Sequence, residues 1–199
     1  MKEIILIIIS YLYGSIPFAL VIGKLFYNTD IRTAGSGNLG GTNAGRVLGK
    51  KAGFSVIVLD ASKAIVVVLL AGYLCSIFKI NQDIKYICAL FCVIGHCWPI
   101  FANFKGGKAV STAIGYFITV SPLGSVLALA LFFVVLKISK YVSLASMIAS
   151  FTVAVVTPFM PISLTAKVVN IAVVTLLICR HHANIKRIIN HTESKIKWM

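Results

Sequence analysis

Seven apolar runs divide the chain, at about 4–26, 53–78, 84–101, 110–120, 122–136, 142–160 and 167–182, with short polar segments between them. Several are long enough to cross a bilayer as helices, which takes about 20 residues. Backbone groups in lipid must satisfy one another, so helices are the form expected of such runs. The run at 110–120 is short, and Ser121-Pro122 after it marks a tight turn or a kink. The first run follows Lys2 and Glu3 and shows no small-residue cleavage site, so it reads as a retained span rather than a signal peptide.

Composition agrees with that pattern. The 199 residues are 59% hydrophobic and 12% charged, with a mean hydropathy of +0.96. An ordinary soluble domain is about one-quarter charged, so water is the wrong solvent for this surface. The charge is lopsided, with 19 Lys and Arg against 5 Asp and Glu. With the N-terminus outside, the inward segments carry Lys24, Arg32, Arg46, Lys50, Lys51, Lys105, Lys108, Lys137, Lys140, Arg180, Lys186, Arg187, Lys195 and Lys197. The outward segments carry only Lys2, Lys79, Lys85 and Lys167. Basic loops favour the cytoplasmic leaflet. The expectation is one all-α integral membrane domain over 1–199, a bundle of seven transmembrane helices with the N-terminus outside and the C-terminus cytoplasmic. No soluble domain remains to carry nucleic acid, which is excluded as a partner.

Five cysteines, an odd number within or beside apolar runs, imply no disulfide framework. Cys88, Cys92 and His96 share a helix face by spacing, but no second ligand pair accompanies them, and no metal is expected. Two nucleotide motifs are decoys. Gly35-Ser36-Gly37-Asn38-Leu39-Gly40, with Asp60 twenty residues on, has the letters of a dinucleotide-binding turn. That turn needs a strand before it and a helix after it in a βαβ unit, and here it lies between membrane spans. A Walker A loop fails at Ala44 and Lys51 around Gly49-Lys50, and at Ala102 and Ala109 around Gly107-Lys108.

Three inward segments carry polar residues that a connector does not need. The first is Gly35 to Asn43 with Arg46; the second is His96-Cys97-Trp98-Pro99 with Phe104-Lys105-Gly106-Gly107-Lys108; the third joins Tyr141 to Ser146 with Arg180 to Asn184. Glycine runs let backbone N–H groups converge on an anion. Ser36, Asn38, Thr42 and Asn43 add side-chain donors, and Arg46 can grip a phosphate with two parallel bonds. Lys105 and Lys108 flank a Gly-Gly turn that opens a helix at Val110, whose N-terminal dipole favours negative charge. Two such cradles suggest two phosphorylated ligands, or one with two phosphates. Lys50, Lys51, Lys137, Lys140, Lys186, Lys195 and Lys197 are read instead as reaching for headgroups. Asp60 and Lys63, at i and i+3 near a helix end, suit an ion pair that makes their burial tolerable. No carboxylate pair, G-x-S-x-G elbow or His-x4-Asp base is present. A site without a strong base relies on a reactive donor, orientation and charge stabilisation.

"GSIPFALVIGK", "GSGNLGGTN" with Arg46, "HCWPIFANFKGGKA", "YVSLAS" and "RHHANI" resemble, in order, the motifs of the bacterial PlsY-type glycerol-3-phosphate acyltransferases, from about residue 11 to 188. The resemblance implies a multi-pass enzyme of the bacterial inner membrane, of seven helices, with its site at the cytoplasmic face. It implies acyl transfer from acyl phosphate, not acyl-CoA, to the 1-hydroxyl of sn-glycerol 3-phosphate. The products are lysophosphatidic acid and inorganic phosphate, the first step of phospholipid synthesis. No cofactor is implied, and a monomer is expected to suffice. By resemblance, Ser36, Asn38, Arg46, Lys105 and His181 are catalytic candidates. Gly37, Gly40, Thr42, Asn43, His96, Gly106, Gly107, Lys108, Ser143 and Asn184 are substrate-binding candidates. Arg46, Lys105, Ser143 and His181 look like the site for the glycerol 3-phosphate phosphate; Lys108 and the Gly106-Gly107 turn look like support for the acyl-phosphate end. His181, Ser36 and a substrate phosphate oxygen all stand as proton acceptors. The chain departs from the pattern at Gly41 (usually Ala), Ala64 and Ala109 (usually Gly), and at His182 and Ala183, where Arg and Glu are common. Two readings from other classes are a phosphate-ester transporter, which suits glycine-broken helices, and a structural membrane subunit. Against the first, the polar residues crowd one face; the second leaves the Gly-Ser-Asn-Thr cluster unexplained.

Overall fold

The computed structural model describes residues 1–196, all helix, turn and loop, with no strand among them. Lys197, read above as an inward basic residue, lies outside the described residues. The chain forms two compact units, Met1–Tyr116 and Phe117–Met199.

The first unit begins with α1 (Lys2–Gly14) and α2 (Phe18–Tyr27), expected as one span and found as two helices bent by 40°. Pro17 has no amide hydrogen and cannot continue the helical ladder, so α1 ends at Gly14 and Pro17 becomes the N-cap of α2. The short α3 (Gly41–Val47) follows, then α4 (Lys50–Phe78), 29 residues of uninterrupted helix. Asp60 and Lys63 therefore lie in the middle of a span, not near a helix end as expected, because the helix already starts at Lys50. Next comes α5 (Ile84–Cys97), and α6 (Val110–Val120) starts in this unit. Gly14 meets the backbone of Cys92, and Gly95 the backbone of Tyr11, with no room for a Cβ at either. Small residues that let backbones touch are how helices associate in lipid.

Lys63 explains how the broken first span is tolerated. The α1–α2 break frees carbonyl groups, and the fully buried Lys63 ammonium donates to those of Gly14, at 3.3 Å, and Ile16. Its third partner is Asp60, with Nζ 2.8 Å from Oδ1, and it lies 4.7 Å from the centre of the Phe18 ring. The ammonium thus faces two carbonyls, a carboxylate and an aromatic ring.

The second unit holds α7 (Pro122–Ser139) and α8 (Val142–Val156), joined through Lys140 in a left-handed turn (φ 64°). It continues with α9 (Leu164–Arg180) and α10 (His182–Ile189), bent by 50° at His181. Buried Asn170 donates to Thr157 at 3.1 Å and ties α9 to the end of α8.

Among the described residues, four helical segments are long and apolar enough to cross a membrane, and six if each bent pair counts as one span. Helix α6 has 11 residues, a rise of about 16 Å, roughly half the hydrocarbon thickness.

Candidate anion-binding site

The glycine segment folds as a braced loop. Asp30 caps a single 3-10 turn, Ile31–Thr33, and the chain then reverses, with Gly37 N donating to Ala34 O at 3.0 Å. Gly35 (φ 61°) and Gly37 (φ 68°) are left-handed, a conformation that costs glycine nothing. Asn43, 2% exposed, holds the loop from inside. Its Oδ1 accepts from Ser36 N at 2.8 Å, and its Nδ2 donates to the carbonyls of Ile31 and Ala34 at 3.3 and 3.2 Å. Asn43 was expected among the substrate ligands; its amide is committed to the backbone. Gly40 is the N-cap of α3. Ser36, Thr42 and Arg46 are exposed, and Asn38 is half-buried.

The second polar segment is folded back on the end of α5. Phe104 N donates to Pro99 O at 2.9 Å, Lys105 N to Ala102 O at 3.1 Å and Gly107 N to His96 O at 3.0 Å. Asn103 (φ 53°) and Phe104 (φ 58°) are both left-handed, and the reversal they make leaves Lys105 exposed. Gly107 packs on the His96 ring so closely that a Cβ would collide with it. His96 is 6% exposed, with Nδ1 3.5 Å from Asp60 Oδ1. The structure thus turns His96 inward, where it supports the Gly106-Gly107 turn. Gly106 is buried and Lys108 half-buried.

These two segments meet in a cleft of about 300 Å³, lined by Asp30, Arg32, Thr33, Gly37, Asn103 and Lys105. Gly37 and Lys105 were expected there; Asp30, Arg32, Thr33 and Asn103 were not. Arg32 forks onto Asp30, with Nε 2.9 Å from Oδ1 and Nη2 2.6 Å from Oδ2, and Lys24 lies 3.9 Å from Oδ2. The Arg32 hydrogen bonds hold the Asp30 carboxyl down at about 2. Asp30 therefore stays ionised and fixes Arg32 in place. With three cations against one carboxylate, the surroundings of the cleft favour an anion.

The remaining candidates belong to the second unit. Ser143 is the second residue of α8 and 6% exposed. His181, 2% exposed, sits at the α9–α10 bend with Nδ1 2.8 Å from Leu177 O. A carbonyl only accepts, so Nδ1 carries the proton there. Asn184 is 3% exposed, on the first turn of α10. Glu193, which motif reading passed over, accepts from Ser143 Oγ at 2.7 Å, Asn184 Nδ2 at 2.6 Å and Arg187 Nε at 2.7 Å.

Comparison with known proteins bears on this arrangement. The family model described as glycerol-3-phosphate acyltransferase matches residues 4–191. A glycerol-3-phosphate acyltransferase of Listeria monocytogenes serovar 1/2a is 47% identical over 199 residues, covering 98% of each chain. One of Geobacillus kaustophilus is 44% identical over 194 residues, covering 98% of this chain and 96% of its own. Among solved structures, PlsY, an integral membrane glycerol 3-phosphate acyltransferase, matches in its glycerol 3-phosphate form with a TM-score of 0.90 and 35% identity. Its lysophosphatidic acid form matches with a TM-score of 0.88 and 34% identity; both cover 99% of this chain and 96% of theirs. The chain belongs to the glycerol-3-phosphate acyltransferase family.

Proposed function

We propose that this protein transfers a fatty acyl group from acyl phosphate to the 1-hydroxyl of sn-glycerol 3-phosphate, releasing lysophosphatidic acid and inorganic phosphate. The hydroxyl oxygen attacks the acyl carbonyl carbon and an ester C–O bond forms. The anhydride C–O bond to phosphate breaks, and phosphate leaves with the electron pair. The hydroxyl proton passes to His181, Ser36 or a phosphate oxygen and ends on the released phosphate. A mixed anhydride has a good leaving group, so the chemistry asks for orientation and charge stabilisation more than for a strong base.

The observation that carries the reading is the cleft. Gly37 of the G-S-G-N segment and Lys105 of the F-K-G-G-K segment line it together, beside Arg32. They do so in a chain 35% identical to PlsY in its glycerol 3-phosphate form. In this reading Arg46 and Lys105 hold the glycerol 3-phosphate phosphate. Ser36, Gly37, Asn38, Gly40 and Thr42 orient the reacting groups, and Gly106, Gly107 and Lys108 support the acyl-phosphate end. Asn43 and His96 act through the loops they brace. Ser143, His181 and Asn184 are read as ligands of glycerol 3-phosphate, as the family resemblance implies.

The same reading makes the chain one membrane domain, active as a monomer in the bacterial cell membrane, with its site at the cytoplasmic face. Helix α6 joins the six longer spans as a seventh, the N-terminus lies outside and the C-terminus inside, as the distribution of lysine and arginine favours.

The test supplies labelled glycerol 3-phosphate to the purified protein in detergent, with palmitoyl phosphate or palmitoyl-CoA. Lysophosphatidate and phosphate are expected with the acyl phosphate alone. Product only with the thioester would refute the donor assignment. No product with either, from folded protein, would favour the transporter.

A further inference from the structure

Past the end of α10 the chain doubles back. Thr192 N and Glu193 N both donate to Arg187 O, at 2.8 and 3.1 Å, around a left-handed His191 (φ 56°). Ile196 N then donates to Lys140 O at 2.9 Å, and the Lys195 ammonium lies 5.4 Å from the centre of the Tyr141 ring. The tail is thus strapped across the turn between α7 and α8. The strap delivers a carboxylate to two residues expected in the site. The Glu193 side chain is 9% exposed, although it lies beyond the last helix. Desolvation pushes its carboxyl up, but the hydrogen bonds from Ser143, Asn184 and Arg187 outweigh it and hold the group below its ordinary value. Glu193 is therefore an ionised acceptor with no proton to donate.

That fact orients its partners. A carboxylate pairs only with the NH2 end of an amide, so Asn184 must present Nδ2 to Glu193. Its Oδ1 then points the other way, buried, with no hydrogen-bond partner among the described residues. A buried acceptor left unpaired is costly, and the chemical class that completes it is a hydroxyl donor. Ser143 likewise has its one proton committed to Glu193 and its lone pairs left to accept.

We propose that Glu193 is a positioning residue. Its carboxylate locks the Ser143 hydroxyl and the Asn184 amide so that Asn184 Oδ1 is presented to a hydroxyl of the acceptor substrate. The inference rests on the function proposed above, since it takes Ser143 and Asn184 to act on glycerol 3-phosphate.

The test measures kcat and KM for glycerol 3-phosphate at saturating palmitoyl phosphate, with melting temperatures in detergent, for the full chain and for E193A, E193Q, N184A and E193A/N184A. E193A is expected to lose about 10- to 100-fold in kcat/KM for glycerol 3-phosphate, the scale of an active-site group displaced by about 1 Å. The KM for palmitoyl phosphate should hold. E193Q keeps an accepting oxygen for Ser143 and Asn184 and should recover much of the loss. The double variant should be no slower than N184A, because Glu193 works through Asn184. Wild-type kinetics in E193A would overturn the proposal. So would additive losses in the double variant, or a rate above wild type, which would make the strap an inhibitory contact. If E193A does not fold, the isosteric E193Q carries the test, with a several-fold loss expected and none refuting. A wild-type protein that makes no lysophosphatidate sinks the proposed function itself; an active wild type with an impaired N184A and an unaffected E193A sinks only the role of Glu193.

Discussion

Replacing Lys63 with methionine should destabilise the protein far more than replacing its partner Asp60 with asparagine. The side chains form one ion pair, 2.8 Å apart and almost wholly buried, so a symmetric effect would be the simple expectation. The structure breaks the symmetry. Lys63 also satisfies the carbonyls of Gly14 and Ile16, and its charge lies over Phe18. K63M leaves the buried Asp60 carboxylate without its cation, which costs about 3–5 kcal/mol. It also strips two carbonyls at the α1–α2 break, each worth about 1 kcal/mol or more. D60N leaves Lys63 two carbonyls and a ring, and the new amide oxygen still accepts, so about 1–2 kcal/mol is expected. For a chain this long, 1 kcal/mol moves the melting temperature by about 2–4 °C. K63M should therefore melt about 10–28 °C below wild type, and D60N only about 2–8 °C below.

The assay is thermal unfolding of the purified variants in one detergent, followed by a thiol-reactive dye at the four buried cysteines. A D60L/K63M double variant sharpens it. It removes the unpaired charge but not the stranded carbonyls, and should fall between the two single variants. If D60N melts at or below K63M, the carbonyl contacts carry no weight. The account of how the broken first span is held would then be wrong.

Four further outcomes follow from the same contacts. Gly107→Ala would press a methyl into the His96 ring, overpacking of about 1–3 kcal/mol. The shifted loop should cost up to about 100-fold in turnover, and His96→Ala in the same chain should restore part of it; unchanged kinetics in G107A would refute the packing argument. Alanine at Arg46 or Lys105 should raise the KM for glycerol 3-phosphate at least tenfold, and an unchanged KM at either would remove that residue from the phosphate site. Asp30 titrates near 2 in the folded protein, below its ordinary value, so its contribution to stability is complete above about pH 4 and is lost as pH falls toward about 2. Asp30→Asn should flatten the pH dependence of melting in that window, and an identical acid profile would count against the Arg32 fork. Ala109 is fully buried with φ 66°, so Ala109→Gly trades left-handed strain of about 1–2 kcal/mol against a lost methyl of about 0.8 kcal/mol and added chain entropy. It should stay within about 1 kcal/mol of wild type, whereas Ala113→Gly, inside α6, should cost nearer 2; equal melting losses would contradict the strain.

Burial, more than residue type, separates what could be read along the chain from what could not. The helical class and the runs that became α4, α7 and α8 follow from apolar length, because lipid leaves the backbone no alternative. Gly37 and Lys105 could be named because glycine turns and a lysine beside Gly-Gly have no use in a plain connector. The Asp30–Arg32 fork could not: at i and i+2, next to a helix end, it reads as loop charge until the 3-10 turn brings the groups together. Asn43 shows a related ambiguity. An amide that braces a loop and an amide that binds phosphate are the same letter, and only its burial, with three backbone partners, tells them apart.

Glu193 is the harder case. Its three partners come from α8, α10 and the turn of α10 just before it. No local pattern links Glu193 to Ser143, fifty residues earlier. Lys63 is alike, answering a break in the chain 47 residues before it. In both cases one ionised side chain, supplied from a distant stretch, satisfies polar groups that a bent helix or a helix end leaves open. A site that holds phosphates beside lipid, as proposed above, cannot be lined with spare charge, because every unpaired group there is costly. The buried charges therefore go into bracing. Asp60, Lys63 and Glu193 are tied to the scaffold by ion pairs and hydrogen bonds, while Arg46 and Lys105, which the proposed function assigns to the ligand, are exposed. By this division, substitutions at the bracing residues should show in stability or in the KM-against-kcat split, and those at Arg46 and Lys105 in phosphate affinity alone.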